Sequence, residues 1–192
     1  MYEAGCGIPR PDTVSPFWQS EYCMLADGYK EGKEERVPAM DCAPFLAKVI
    51  YHGLTVANAT AWQFWNAWEP GSAEFDSRYY MIALKIYAAN TDGDFAVTKN
   101  LWALGHYSRF IRPGMKRIVV VRKDEPDSRK AAQDVMLCAF TGKKELVVVA
   151  VNYTTSSRDI LLDMPGVKRM KNKRQYVTSA GAEDNMRLYP LP

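Results

Sequence analysis

One glutamate, Glu21, stands out among the residues whose chemistry could be catalytic. It lies in the run Trp-Gln-Ser-Glu-Tyr-Cys, near the end of an aromatic-rich segment, Pro16 to Met24, that is typical of a short buried strand. An ionised carboxylate is costly to bury without partners, and parallel α/β barrels assemble their active sites at the C-terminal ends of strands. The position therefore indicates a reactive carboxylate, and an ion pair with a lysine or arginine is the alternative.

A second cluster of interest is aromatic, and it comprises Trp62, Phe64, Trp65 and Trp68. Sugar rings present apolar C–H faces that stack on indoles, while their hydroxyls need polar groups such as Gln63 and Asn66 would supply. Packing in a core is the alternative. We favour core packing for Trp62 and Phe64, whereas for Trp65, next to Asn66, both interpretations stay open.

Other reactive side chains give weaker signals. His52 and His106 lie in predicted helices, without an Asp or Ser at the spacing of a catalytic triad or a metal site, so we expect structural roles. The cysteines are widely spaced without a CxxC pair, which argues against a zinc site and leaves buried thiols and disulfides both open: Cys6, Cys23, Cys42 and Cys138. We therefore expect no metal and no cofactor.

The elements that would position Glu21 form a strand–helix–strand unit. After the first strand, Asp41 is the expected N-cap of a helix whose apolar residues recur at helical spacing up to Leu54. The almost entirely apolar or small residues from Val56 to Trp65 predict a strand buried on both faces. This order is typical of a βαβ unit in a parallel sheet.

The character of the sequence changes at Pro113-Gly114. Just before it, Thr98 is expected to cap a second helix that runs to Ile111. After it, short β-branched runs separated by turn residues predict antiparallel strands of a β-sandwich, at residues 117–122, 135–140, 145–153 and 159–164.

Composition limits the possible partners. The chain has 192 residues and a formal net charge of +3, a bias too weak to indicate nucleic-acid binding. No window approaches the ~20 apolar residues of a membrane-spanning helix. The N-terminus has no basic region followed by an apolar run, so a signal peptide is not expected within this sequence.

Four ordered blocks resemble glycoside hydrolase family thirty, the retaining (β/α)8-barrel glycosidases that include glucosylceramidases, xylanases and endo-β-1,6-glucanases and galactanases. They are Phe17 to Cys23, Leu54 to Trp65, Thr98 to Gly114 and Val147 to Tyr153. The third block is long and specific. The first two blocks look closest to the endo-β-1,6-galactanases, so the resemblance implies a β-linked polysaccharide substrate, β-1,6-galactan or a related β-glycan, and a secreted or periplasmic parent protein.

The resemblance also implies a fold and a site. Residues 1–112 would be the last two βα units of the barrel, and residues 113–192 an antiparallel β-sandwich that lacks its closing strand. Glu21 would be the catalytic nucleophile at the end of barrel strand seven. Further residues would contact the substrate: Trp18, Tyr22, Trp65 and Asn66.

One departure from the family pattern limits the expected activity. A retaining glycosidase needs two carboxyl groups roughly 5 Å apart, and the family's acid/base belongs to a strand that this sequence does not contain. Glu3 and Glu69 match no family motif. We therefore expect a fragment that is inactive alone and that needs the N-terminal portion of the barrel as its partner. A non-catalytic carbohydrate-binding or structural remnant is the alternative.

Overall fold

The computed structural model describes residues 16–23, 39–70, 80–86, 92–165 and 170–190, except for the side chains of residues 39–41 and 86. Cys6, Glu3 and the end of the first predicted strand at Met24 lie outside the described residues. Three helices and ten short strands are present in the described part.

The N-terminal part contains the predicted βαβ unit. Strand β1 (Trp18–Gln19) is followed by helix α1 (Ala39–Thr55) and strand β2 (Ala61–Trp62). The two strands pair in parallel, with Trp18 opposite Ala61 and Gln19 opposite Trp62. The prediction of a parallel pair joined by a helix is therefore confirmed.

Three details of this unit were predicted wrongly. The first strand is not buried, since Phe17 is 37% exposed and Trp18 is 61% exposed. Helix α1 already includes Ala39, so Asp41 lies inside the helix and is not its N-cap. The segment from Val56 to Trp65 is not one strand buried on both faces, because only Ala61 and Trp62 are in the strand. The preceding residues turn the chain at the helix end: the N–H groups of Val56 and Ala57 both donate to the His52 carbonyl, and Asn58 has a φ of 55°.

A three-stranded sheet that we did not predict follows β2. It consists of β3 (Trp68–Pro70), β4 (Ile82–Ile86) and β5 (Gly93–Val97), in that spatial order. Strand β3 pairs with β4 in parallel, and β4 pairs with β5 antiparallel. The register places Trp68, Ile82 and Val97 in one row, and the next row on the same face holds Pro70, Leu84 and Phe95.

Helix α2 (Lys99–Ser108) follows immediately, as predicted, with Thr98 at the N-cap position. The Thr98 side chain makes no capping hydrogen bond to the helix. Its buried hydroxyl instead donates to the carbonyl of Met81 at 2.9 Å, which ties the helix start to the residue just before β4. The start of the helix is thus held by this neighbouring backbone and not by a side-chain cap.

Antiparallel strands dominate the rest of the chain. Strands β6 (Lys116–Ile118), β7 (Val135–Thr141) and β8 (Leu146–Asn152) form one sheet in sequence order, with the short helix α3 (Ser128–Ala131) before β7. Strands β9 (Gln175–Val177) and β10 (Arg187–Tyr189) form a separate pair. An α/β unit followed by antiparallel sheets agrees with the predicted fold class, whereas the barrel origin and the boundary at residue 112 stay predictions.

The predicted strand from Asp159 to Met164 is wrong. These residues belong to no helix or strand, and their apolar side chains are exposed, Leu161 almost completely at 96%. The apolar run Ile-Leu-Leu has the composition of a strand, but a strand forms only where a neighbour accepts its backbone hydrogen bonds.

Helix α1 lies at the centre of the molecule. Its side chains are buried around most of its circumference, and even Lys48 is only 6% exposed, with its ammonium 5.0 Å from the centre of the Tyr153 ring. The helix packs against α2, β7 and β8. The Tyr107 hydroxyl of α2 donates to the Ala47 carbonyl at 3.0 Å. The two halves of the chain therefore share one hydrophobic core, with α1 inside it.

Candidate active site

The backbone of the site is the parallel pair β1 and β2 with the residues that follow each strand. The Thr60 N–H donates to the Phe17 carbonyl at 2.8 Å, and the Trp65 N–H donates to the Tyr22 carbonyl at 2.8 Å. Hydrogen bonding thus continues beyond the two-residue strands on both sides. Because parallel strands end at the same edge of a sheet, Glu21 and Trp65 lie at the same end of this pair.

Glu21 lies where the pairing loses its regular register. The Gln63 N–H donates to the Gln19 carbonyl at 2.9 Å, and the next inter-strand bond joins Trp65 to Tyr22. The first segment thus advances three residues while the second advances two, which is the pattern of a β-bulge. Bulges re-aim a side chain and are common next to active sites.

Gln19 stabilises this irregular stretch. Its side-chain amide donates to the Glu21 carbonyl oxygen at 2.8 Å, so the carbonyl inside the bulge has a partner. The Glu21 side chain itself is exposed. The exposure does not decide between a reactive carboxylate and the alternative, an ion pair with a lysine or arginine, so both stay predictions.

Behind Glu21, three rings form an aromatic cluster. The Tyr22 ring centre lies 5.8 Å from that of Trp62 and 6.4 Å from that of Phe64, and the Trp62 and Phe64 rings stack at 6.4 Å. All three side chains pack against the hydrophobic core. The core interpretation of Trp62 and Phe64 is thus supported. Tyr22, which we predicted to contact substrate, has one side of its ring against these two residues.

Gly53 allows this cluster to approach helix α1. A Cβ atom at position 53 would lie 2.9 Å from Cδ1 of Trp62, closer than carbon atoms pack without a clash. The indole therefore lies against the bare backbone of the helix. A glycine near the end of the helix, where its helix propensity is low, is therefore needed for this contact.

Two indoles of this pair and its flanking residues remain open. Trp18, the first residue of β1, is 61% exposed, and Trp65, which follows β2, is 45% exposed. Exposed indoles are surfaces on which the apolar faces of sugars can stack. The peptide bond between Trp65 and Asn66 is cis.

Asn66 makes a contact that the sequence did not predict. Its side-chain amide donates to Oε2 of Glu69 at 3.3 Å. Its Oδ1 atom is enclosed and has no hydrogen-bond partner among the described residues. A polar pair, Asn66 and Glu69, thus follows the open indole of Trp65, and Glu69 is the residue of this region that sequence reasoning had set aside.

The other candidate residues have structural contacts. Nε2 of His106 lies 2.9 Å from the Thr178 hydroxyl, and burial lowers the pKa of this imidazole. Burial raises the pKa of the Cys138 thiol to about 12. Cys138 is a free thiol. Within the described ranges, no three or more His, Cys, Asp or Glu side chains gather as metal ligands would.

The described part of the chain contains no helix with the length and apolar character needed to span a bilayer.

Sequence reasoning missed one feature of the site. Gln19 was quoted as part of the Glu21 motif without a role of its own, and a polar residue inside a predicted buried strand is the signal that would have identified it. Trp68, the last residue of the predicted aromatic cluster, lies in β3, outside the candidate site, and is 65% exposed.

Comparisons with known proteins support a single family. Residues 10–76 match the model of the family described as O-Glycosyl hydrolase family 30. A crystal structure of a conserved exported protein from Bacteroides fragilis is similar over 92% of this chain, with 30% identity and a TM-score of 0.74. The catalytic domain of the GH30 xylanase C from Talaromyces cellulolyticus is similar in fold over 75% of the chain, with 23% identity and a TM-score of 0.51.

This chain is shorter than the proteins it resembles. It covers 35% of the Bacteroides fragilis chain and 29% of the xylanase chain. Residues 10–76 thus match O-glycosyl hydrolase family 30, and the chain as a whole is similar to a C-terminal portion of such proteins.

Proposed function

We propose that this chain is the part of a retaining glycoside hydrolase that carries the catalytic nucleophile, Glu21. The enzyme would act on a β-linked glycan. The observation that carries the proposal is the placement of Glu21: an exposed residue in a bulge at the end of two parallel strands, next to Tyr22, whose carbonyl accepts the Trp65 N–H. The family supports the glycoside hydrolase class.

Each neighbouring residue has a proposed role. Trp65 and Trp18 offer exposed indoles for stacking on sugar rings. Tyr22 borders the sugar with the side of its ring that does not pack on Trp62 and Phe64. Asn66 would bind a sugar hydroxyl, since its amide is already oriented by Glu69.

In the proposed step, a carboxylate oxygen of Glu21 attacks the anomeric carbon of the sugar. A glycosyl ester bond forms while the bond to the leaving oxygen breaks, and that oxygen takes a proton from a general acid. We propose that the general acid and the rest of the barrel come from polypeptide outside these 192 residues. The purified chain should then show no useful turnover, because a positioned general acid contributes roughly 10²–10⁴-fold.

We further propose a parent protein that is secreted or periplasmic and that degrades β-1,6-galactan. The galactan follows from the first two sequence blocks, and the export from the description of the Bacteroides fragilis structure. The neighbouring xylanase makes β-xylan the substrate to test beside it. Residues 1–112 would belong to the catalytic barrel and residues 113–192 to a β-sandwich.

A sugar with a fluoride leaving group tests the nucleophile without a general acid, because fluoride departs unprotonated. We would incubate the chain with 2-deoxy-2-fluoro-β-galactosyl fluoride and map the label by peptide mass spectrometry. The label is expected on Glu21 and absent from Glu21→Gln, with Glu183→Gln, at an exposed carboxylate in the C-terminal part of the chain, as the control that keeps it. A label on another residue, or no label on the wild-type chain, would refute the assignment. If the xylosyl analogue labels the chain faster than the galactosyl fluoride, the proposed substrate becomes xylan instead of galactan.

A further inference from the structure

One face of the β3–β4–β5 sheet is apolar and open. By register, its two rows carry Trp68, Ile82 and Val97, and then Pro70, Leu84 and Phe95. The charged residues of these strands, Glu69, Lys85 and Asp94, alternate to the opposite face. An exposed sheet face without a charged side chain is unusual and marks a site of interaction.

The exposed part of this face is mainly aromatic. Phe95 is 71% exposed and Trp68 is 65% exposed, whereas Ile82 and Leu84 between them are half-buried. The two rings therefore stand above a shallow aliphatic floor. Such a surface suits a flat, neutral ligand with apolar faces better than it suits a protein side chain that needs a deep pocket.

The spacing of the two rings can be estimated from sheet geometry. Trp68 and Phe95 are two strands and two residues apart, and strands ~4.8 Å apart with a rise of ~3.4 Å per residue separate their Cα atoms by about 12 Å. This separation is comparable with the distance between alternate sugar rings in an extended β-linked chain. Two rings at this distance would stack on alternate sugars of one glycan.

The face also continues from the candidate site. Trp68 follows Trp65 by three residues, so at most about 10 Å of chain separates their Cα atoms. A glycan bound at Trp65 could thus extend onto the face without crossing an unrelated surface.

We propose that this face is a second carbohydrate-binding surface, on which Trp68 and Phe95 bind the part of a β-linked glycan that extends away from Glu21. The proposal rests on the proposed function.

Binding of oligosaccharides of increasing length tests this surface. We would titrate the chain with β-1,6-linked galacto-oligosaccharides from the disaccharide to the hexasaccharide, and with β-1,4-linked xylo-oligosaccharides, by calorimetry. Affinity is expected to rise with length in at least one series. Trp68→Ala and Phe95→Ala should each weaken hexasaccharide binding by roughly 2- to 10-fold, the value of one aromatic contact, and leave disaccharide binding unchanged.

Leu161→Ala is the control, because it removes an exposed apolar side chain outside this sheet and should bind like the wild type. Fluoro-sugar labelling of Glu21 in Trp68→Ala separates the two proposals. If Trp68→Ala is still labelled on Glu21 but its glycan affinity no longer rises with oligosaccharide length, both proposals are supported. If the affinity no longer rises with length and Glu21 is not labelled, the binding surface is supported but the nucleophile is not. Equal hexasaccharide affinity in all variants overturns the surface. So does a wild-type dimer that Trp68→Ala converts to a monomer with unchanged glycan affinity, since a second copy would then occupy the face.

Discussion

The contact between Gly53 and Trp62 makes a quantitative prediction about stability. In Gly53→Ala the new methyl group would lie 2.9 Å from Cδ1 and 3.2 Å from Nε1 of Trp62. The indole cannot simply move away, because it packs against Tyr22 and Phe64. Overpacking of this kind costs about 1–3 kcal/mol, while alanine in a helix gains about 1 kcal/mol over glycine. We therefore expect a net loss of about 0–2 kcal/mol in the free energy of unfolding.

Gly105→Ala in helix α2 is the matched control. Its methyl group would lie 2.6 Å from the sulfur of Met186, but that atom belongs to a flexible side chain that can adopt another rotamer. The same gain in helix propensity should then dominate, so this variant is expected to be neutral or up to about 1 kcal/mol more stable than the wild type. The two variants have the same substitution and differ mainly in the rigidity of the neighbour.

Urea unfolding, followed by far-ultraviolet circular dichroism, measures the difference directly. Because both variants share the gain in helix propensity, Gly53→Ala should be less stable than Gly105→Ala by the overpacking cost, about 1–3 kcal/mol, which corresponds to a gap in melting temperature of roughly 2–12 °C for a chain of this size. Equal stabilities, or a more stable Gly53→Ala, would refute the argument that glycine is needed for the approach of Trp62.

Two further predictions concern buried titratable groups. Burial lowers the pKa of His106 below its ordinary 6.5, so the unfolded chain takes up this proton first and folding stability falls as the pH drops below about 6.5. The stability advantage of the wild type over His106→Gln should shrink between about pH 8 and pH 5, and a constant difference in urea unfolding would contradict this. Because burial raises the pKa of Cys138 to about 12, its thiol should resist iodoacetamide in the folded protein and react once urea unfolds the chain. Peptide mass spectrometry over time measures the alkylation of Cys138 in both states, and equal alkylation rates would argue against its burial.

The sequence predicted best those elements that are long and strongly patterned. Helices α1 and α2 and strands β7 and β8 form where periodic or continuous apolar runs predicted them. The β3–β4–β5 sheet was missed because its strands are short. Two of the three strands also follow stretches of turn residues, which are typical of loops. Residues 56–65 and 159–164 were wrongly predicted as whole strands from their apolar composition. Composition alone does not provide a neighbouring strand with which to pair.

The site was predictable in its residue types but not in its geometry. Glu21 and Trp65 could be identified from their positions after predicted strands. The bulge around Glu21 and the hydrogen bond from Gln19 depend on how two strands pair, which no local pattern encodes. The exposed rings of Trp68 and Phe95 become one surface only through the register of three strands.

The central position of helix α1 affects the order in which the protein can fold during its synthesis. The helix is enclosed by segments that leave the ribosome much later: Tyr107 reaches it across 60 residues, and the Tyr51 hydroxyl donates to the Ser128 carbonyl across 77. Closing such distant contacts is slow. The strands that hold Glu21 and Trp65 therefore wait, with their connecting helix uncovered, until β8 has been translated. During that interval the nascent chain exposes its most apolar helix, which makes this part of the protein the one most in need of a chaperone.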